Sequence, residues 1–244
     1  MKKTLLFFVA FFALQFAAQA QLGDLAKKAQ SAKDKVMGSD LSQTEIGNGL
    51  KEALNAGIGE AVDFLSAKDG YFKSPYKILV PEEAQKVVSK LKAVPGFANI
   101  ESDLTERMNR AAEDAATKAK PIFVSAIKKM TFKDAINILM GNQDAATRYL
   151  EKTTYQSLYD EFKPVIQTSL DKVNAREYWR NAVTAYNKLP LVTQTNPELD
   201  DHVTTKALSG LFSLIEKKEK NIRTDVGQRN SDLLKKVFAK QDKK

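Results

Sequence analysis

Apolar residues in this chain recur three and four positions apart and almost nowhere in alternation, a period that suits helices and leaves no strand face to bury. Ile46, Leu50, Leu54, Ile58, Ala61 and Leu65 form one such stripe. Ile100, Leu104, Met108, Ala111 and Ala115 form a second, and Leu199, Val203, Ala207, Leu211 and Leu214 a third. The predicted fold is therefore all-α, a single irregular multi-helix bundle of about seven to ten helices.

Boundary residues sharpen that reading. Ser42 with Glu45 three residues on makes a capping box ahead of the first stripe. Gly47, Gly49, Gly57 and Gly59 each weaken that helix by about 1 kcal/mol relative to alanine, which predicts another helix crossing closely there. Gly70 is expected to end it in a left-handed cap, with residues 74–80 extended up to Pro81. The longest clear helix is predicted at about 98–119, Pro121 opens the next, and Thr131 to Gly141 bound a short one. A helix or helix pair bent at Pro164 follows over 143–173, then 175–188 around Trp179, Val183 and Tyr186. Asn196-Pro197 caps the third stripe, and the last helix runs from about Ser231 to Ala239. No internal period or linker divides the chain, so 42–240 reads as one helical domain.

Ahead of it, Lys2 and Lys3 precede ten unbroken apolar residues, Leu5 to Leu14, and Ala18-Gln19-Ala20 follows. This is the layout of a secretory signal peptide over residues 1–20, with cleavage expected between Ala20 and Gln21. The run is too short for a bilayer, and without cysteine the chain has no site for lipoprotein acylation. Residues 21–41, rich in Ala, Lys and Asp, read as a mobile N-terminal arm. The expected address is the periplasm or the exterior, with no membrane span.

Losing Lys2 and Lys3 lowers the formal charge from +8 to +6 over 224 residues. The positive charge is interleaved with acids except in the Lys-rich tail. A nucleic-acid binder shows a denser basic stripe with aromatic or motif support, so nucleic acid is not an expected partner.

Several chemistries fall away for want of residues. With no cysteine and His202 as the only histidine, ordinary zinc, haem, copper and two-histidine iron sites cannot be assembled in one chain, so no metal and no cofactor is expected. Thiol chemistry is excluded. A Ser-His-Asp triad would have to use His202, which sits beside the Leu199–Val203 stripe and reads as a hydrogen-bonded or solvated side chain; no Gly-x-Ser-x-Gly elbow is present. A carboxylate pair for sugar hydrolysis needs only acids and stays open.

Two groups of residues are candidates for a site. On the second stripe's helix, Asp103, Glu106, Arg107, Asn109, Arg110, Glu113 and Asp114 place opposite charges at i, i+3 and i+4. They read either as a solvated ion-pair ladder or as an inter-helix network in which Asn109, Arg110 and Glu113 meet Glu219 or Arg223. Among the aromatics, Tyr149, Tyr155, Tyr159, Phe162, Tyr178, Trp179 and Tyr186 fit a core at helical spacing. Tyr71, Phe72 and Tyr76 in the 69–76 loop, with Trp179, are the candidate binding surface, its partner an envelope protein or an apolar ligand.

Gly70-Tyr71-Phe72, Met108-Asn109-Arg110-Ala111-Ala112-Glu113, Pro121-Ile122-Phe123, Met130-Thr131 with Asp134-Ala135, Ala145-Ala146-Thr147, Ala207-Leu208-Ser209-Gly210-Leu211-Phe212, and Glu219 with Ile222-Arg223 occur in that order. Over about residues 42–238 the set resembles the bacterial domain of unknown function 4197 family. The resemblance implies an exported, all-helical domain and brings no assigned activity or catalytic residue. The chain departs from the pattern at Ser209, where an acid is frequent, and at Val226-Gly227, where a proline is common before Arg229. Three functions remain: a non-catalytic binding or envelope-associated module, a carboxylate-dependent hydrolase of envelope or polymer substrates, and a structural or assembly protein.

Overall fold

A computed structural model describes residues 42–81, 85, 88–89, 98–188, 190–191, 194, 196 and 198–239. The expected signal peptide and arm lie outside the described residues. The chain divides into a first unit, Met1–Glu45, and a second, Ile46–Lys244. Of the first, only Ser42–Glu45 is described, and it holds the expected capping box: Ser42 Oγ accepts from the Glu45 amide at 3.2 Å while Glu45 Oε2 accepts from the Ser42 amide at 2.8 Å.

The described residues form eight α-helices and no strand. They are α1 (Gln43–Ser66), α2 (Ile100–Ala116), α3 (Ala119–Lys129), α4 (Phe132–Met140), α5 (Ala145–Asp171), α6 (Ala175–Asn187), α7 (Leu199–Thr224) and α8 (Asp232–Phe238), with one 3-10 turn at Val226–Gln228. In the second unit α5 packs against both α2 and α7, α2 also touches α7, and α3, α4 and α6 lie against α5. All six residues of the first predicted stripe are buried. So are Leu104, Met108, Ala111 and Ala115, and all five of the third stripe.

Several boundaries differ from expectation. The helix predicted at 98–119 is the 17-residue α2, and the longest is the 27-residue α5, which passes through Pro164 as a single element. Helix α3 begins two residues before Pro121. Thr131 caps α4 through a complete capping box with Asp134. Of the four α1 glycines, Gly49 is the one a crossing helix requires, since a Cβ there would lie 2.6 Å from Val237 of α8. Gly59 faces open space.

The left-handed residue after α1 is Asp69, with φ 72°, not Gly70. Gly70 is needed for room: a Cβ there would stand 2.2 Å from the Phe64 carbonyl oxygen and 2.8 Å from that of Leu65. Asp is among the few residues other than Gly that tolerate the left-handed region, so the turn divides its two demands between neighbours.

Candidate functional site

The turn after α1 is stapled to α2 by side chains one helical turn apart. Glu113 Oε1 accepts from the Tyr71 and Phe72 amides, both at 3.1 Å, and Oε2 accepts from Arg110 Nη1 at 2.8 Å. Arg110 Nη2 reaches Asp69 at 2.8 Å and Glu106 at 3.3 Å. Beside them, Asn109 Oδ1 accepts from the Ile78 amide and Nδ2 donates to the Ile78 carbonyl, each at 2.8 Å, as a neighbouring strand would. The Arg110 hydrogen bond, reinforced by that of Lys73, holds the Asp69 carboxyl below its ordinary range. The Phe72 ring lies 4.7 Å from Lys77 Nζ and 5.0 Å from Arg110 Cζ.

A second staple sits on α7. Glu219 accepts from the Ala146 amide at 2.9 Å, and from the Thr147 amide and hydroxyl at 2.8 Å each. Arg223 donates to Glu219 at 2.7 Å, to the Ile138 carbonyl at 2.8 Å and to the Leu139 carbonyl at 3.2 Å. The carboxylate thus meets the N-terminal amides of α5 and the guanidinium meets the C-terminal carbonyls of α4. Each charge faces the helix end whose dipole favours it. Buried Arg229 repeats the device, donating to the Ile222 and Arg223 carbonyls at the end of α7, both at 3.0 Å.

The expected polar network therefore divides. Asn109, Arg110 and Glu113 hold the 69–78 segment, while Glu219 and Arg223 hold the α4–α5 junction. Of the binding candidates, Tyr71 is core, and so is Trp179, as its helical spacing also allowed. Tyr71 is fully buried and its hydroxyl donates to the Ala207 carbonyl at 2.8 Å; burial, with the Glu113 charge adding to it, pushes its phenol well above the ordinary value. Trp179 is buried too, its indole N–H donating to the Asn196 carbonyl at 3.3 Å. Phe72 and Tyr76 stay half-buried. The side chains of Tyr178 and Tyr186 lie outside the described residues.

Tyr76 lines an open groove of about 590 Å³ between residues 75–81 and the face of α7 carrying His202, Lys206, Ser209, Gly210 and Ser213. His202 Nε2 stands 3.0 Å from the Leu79 carbonyl oxygen, which can only accept, so Nε2 carries the proton. Lys77 and Gln85 complete the polar part of the lining, which among the described residues includes no Asp or Glu. A neighbouring cleft of about 330 Å³ lies between Phe72, Lys77 and Leu79 on one side and Asn99, Glu101 and Thr105 on the other.

One buried cluster was not singled out from the sequence. Asp200, in the first turn of α7, accepts from Gln167 at 2.7 Å and has Arg176 and Lys163 at 3.8 and 3.9 Å, while its Oδ1 has no hydrogen-bond partner among the described residues. Its neighbour Asp201 accepts from the Tyr159 hydroxyl. The available signal was the adjacent acid pair at a helix start.

Among the described residues no group of three His, Cys, Asp or Glu side chains converges as a metal site. None of the described helices is long and apolar enough to cross a membrane.

The strings that carried the family resemblance are contact partners in the fold. Gly70-Tyr71-Phe72 meets Glu113 and Ala207, and Ala146-Thr147 meets Glu219. No curated protein and no solved structure matches the chain. The family model described as protein of unknown function (DUF4197) matches residues 40–239, and the chain belongs to that family.

Proposed function

We propose that this protein is an exported, non-catalytic binding module that takes an anionic ligand in the groove between residues 75–81 and α7. The observation that carries the reading is the groove's lining: Lys77, Lys206, His202, Ser209 and Ser213 surround an open volume with no carboxylate among its described lining residues. Size and mixed polarity fit a small-ligand site, and the two lysines, with no acid among the described lining residues, suit an incoming negative charge. Ser209 matters here, because an acid at that position would neutralise part of the field.

The hydrolase alternative needs two carboxylates about 5–10 Å apart in an open cleft. Among the described residues the groove has none and the neighbouring cleft has one, Glu101. Glu113 and Glu219 are committed to backbone amides and arginines. Export rests on the Lys2-Lys3, Leu5–Leu14 and Ala18–Ala20 pattern.

Native mass spectrometry of the protein purified from a Gram-negative periplasm tests both parts. The expected result is a chain beginning at Gln21 that carries an anionic adduct, with the adduct lost in Ser209→Asp. An uncleaved cytoplasmic chain overturns the export reading, and an adduct undisturbed by Ser209→Asp overturns the groove reading.

A further inference from the structure

Residues 77–81 belong to no helix, turn or sheet. Ile78 and Val80 are buried while Leu79 is 60% exposed and Lys77 is exposed, the period-2 pattern of a half-buried strand. One edge of this segment is satisfied, because the Asn109 amide takes both the N–H and the C=O of Ile78. Successive residues of an extended chain point their backbone groups to opposite edges, so those of Lys77 and Leu79 share the other edge. On that edge the Lys77 N–H is bound to the Ser74 carbonyl and the Leu79 C=O to His202. The Lys77 C=O and the Leu79 N–H have no partner among the described residues. Since His202, Lys77 and Leu79 all line the groove, this half-open edge faces it.

We infer that the occupant of the groove is an extended, acidic peptide segment that pairs as an added strand with the free edge of Lys77–Leu79. The inference rests on the groove reading and names its ligand class. Strand addition supplies the two missing hydrogen bonds, and alternate side chains supply the selectivity. In antiparallel register, a residue accepting from the Leu79 N–H lies opposite Leu79, and the residue two further on donates to the Lys77 carbonyl and lies opposite Lys77. Cross-strand pairing then favours an apolar side chain at the first position and a carboxylate at the second. Exposed Leu79 and Lys77 offer the two complements.

The test uses the full mature chain and the peptide acetyl-Ser-Thr-Val-Thr-Glu-Thr-Ser-amide, with binding followed by fluorescence anisotropy of a labelled copy. Two further peptides carry backbone N-methyl groups on the odd or on the even positions. Methylation of one set should weaken binding at least tenfold, and of the other by less than about threefold, because only alternate amides face the edge. Lys77→Glu should weaken the parent peptide about tenfold or more, and the Glu-to-Lys peptide should recover binding to that variant. Equal effects of the two methylated sets, or failure of the charge swap, overturn the inference. If inorganic phosphate displaces the peptide at comparable concentration, the groove is an anion site and not a strand site: the inference fails while the groove reading stands. Absence of peptide binding likewise overturns the inference, and the groove reading is then judged by the adduct and Ser209→Asp.

Discussion

Two glutamates in this fold do the same job in different surroundings. Glu113 and Glu219 each accept two consecutive backbone amides and one arginine. Around Glu219 the arginine is as buried as the acid, with side chains 5% and 7% exposed, and the acid accepts from the first amides of α5, the Thr147 hydroxyl and Arg223. Around Glu113 the acid is 5% exposed but Arg110 is 30% exposed and shares itself with Asp69 and Glu106. The contrast separates a closed polar knot, in which each lost partner leaves a buried group bare, from a knot whose outer half water can replace. It also explains why neither cluster reads as catalytic: the acids are saturated by the chain itself, whereas the groove nearby is open.

The largest effect should come from Glu219→Ala. It strips two amides and leaves the Arg223 guanidinium buried without its counter-charge, a loss of about 3–5 kcal/mol. For a domain near 200 residues that is roughly a 10 °C fall in Tm, read by thermal unfolding monitored by circular dichroism. Glu113→Ala should be milder, about 2–3 kcal/mol, because two amides lose their acceptor but Arg110 can turn to water. Equal losses would break the comparison and show that the shared amide contacts, not the exposure of the arginine, set the scale.

Arg110→Ala sharpens the same point from the other side. Its pairs are partly exposed, and such pairs contribute about 1 kcal/mol or less. A Tm unchanged within error for both Arg110→Ala and Glu113→Ala would dissolve the first staple altogether.

What the sequence displayed of this arrangement was its local half. Both described capping boxes, Ser42 with Glu45 and Thr131 with Asp134, depend on a three-residue spacing and were legible. So was the possibility of an Arg110–Glu113 pair, which one helical turn creates. The far partners were not legible. Glu113 reaches 42 residues back to Tyr71, and Glu219 reaches 73 residues back to Ala146. Those meetings depend on how α2, α5 and α7 cross, which spacing along one helix does not encode. Tyr71 and Trp179 looked like binding aromatics because nothing in the string shows that the Ala207 and Asn196 carbonyls wait for their polar ends. The groove was invisible for a similar reason: it arises where an extended segment, held by Asn109, runs past a helix face that carries serines and lysines.

The smallest effect tests the exposed end of the first staple. Asp69 occupies a left-handed conformation that Asn also tolerates, so Asp69→Asn removes charge with little backbone strain. Its carboxyl is held below the ordinary value of 3.8, by Arg110 first and Lys73 second. A group whose folded pKa is depressed contributes stability above its unfolded value and loses it as pH falls through the folded one. The Tm difference between wild type and Asp69→Asn should therefore be present, though small, at neutral pH, begin to shrink below about pH 4, and disappear once Asp69 is protonated in the folded state. A difference that persisted at lower pH would mean that Asp69 acts through the geometry of its turn and not through its charge. Arg110 would then be held by buried Glu113 and exposed Glu106, and the contrast between the two staples would rest on burial and not on the Asp69 charge.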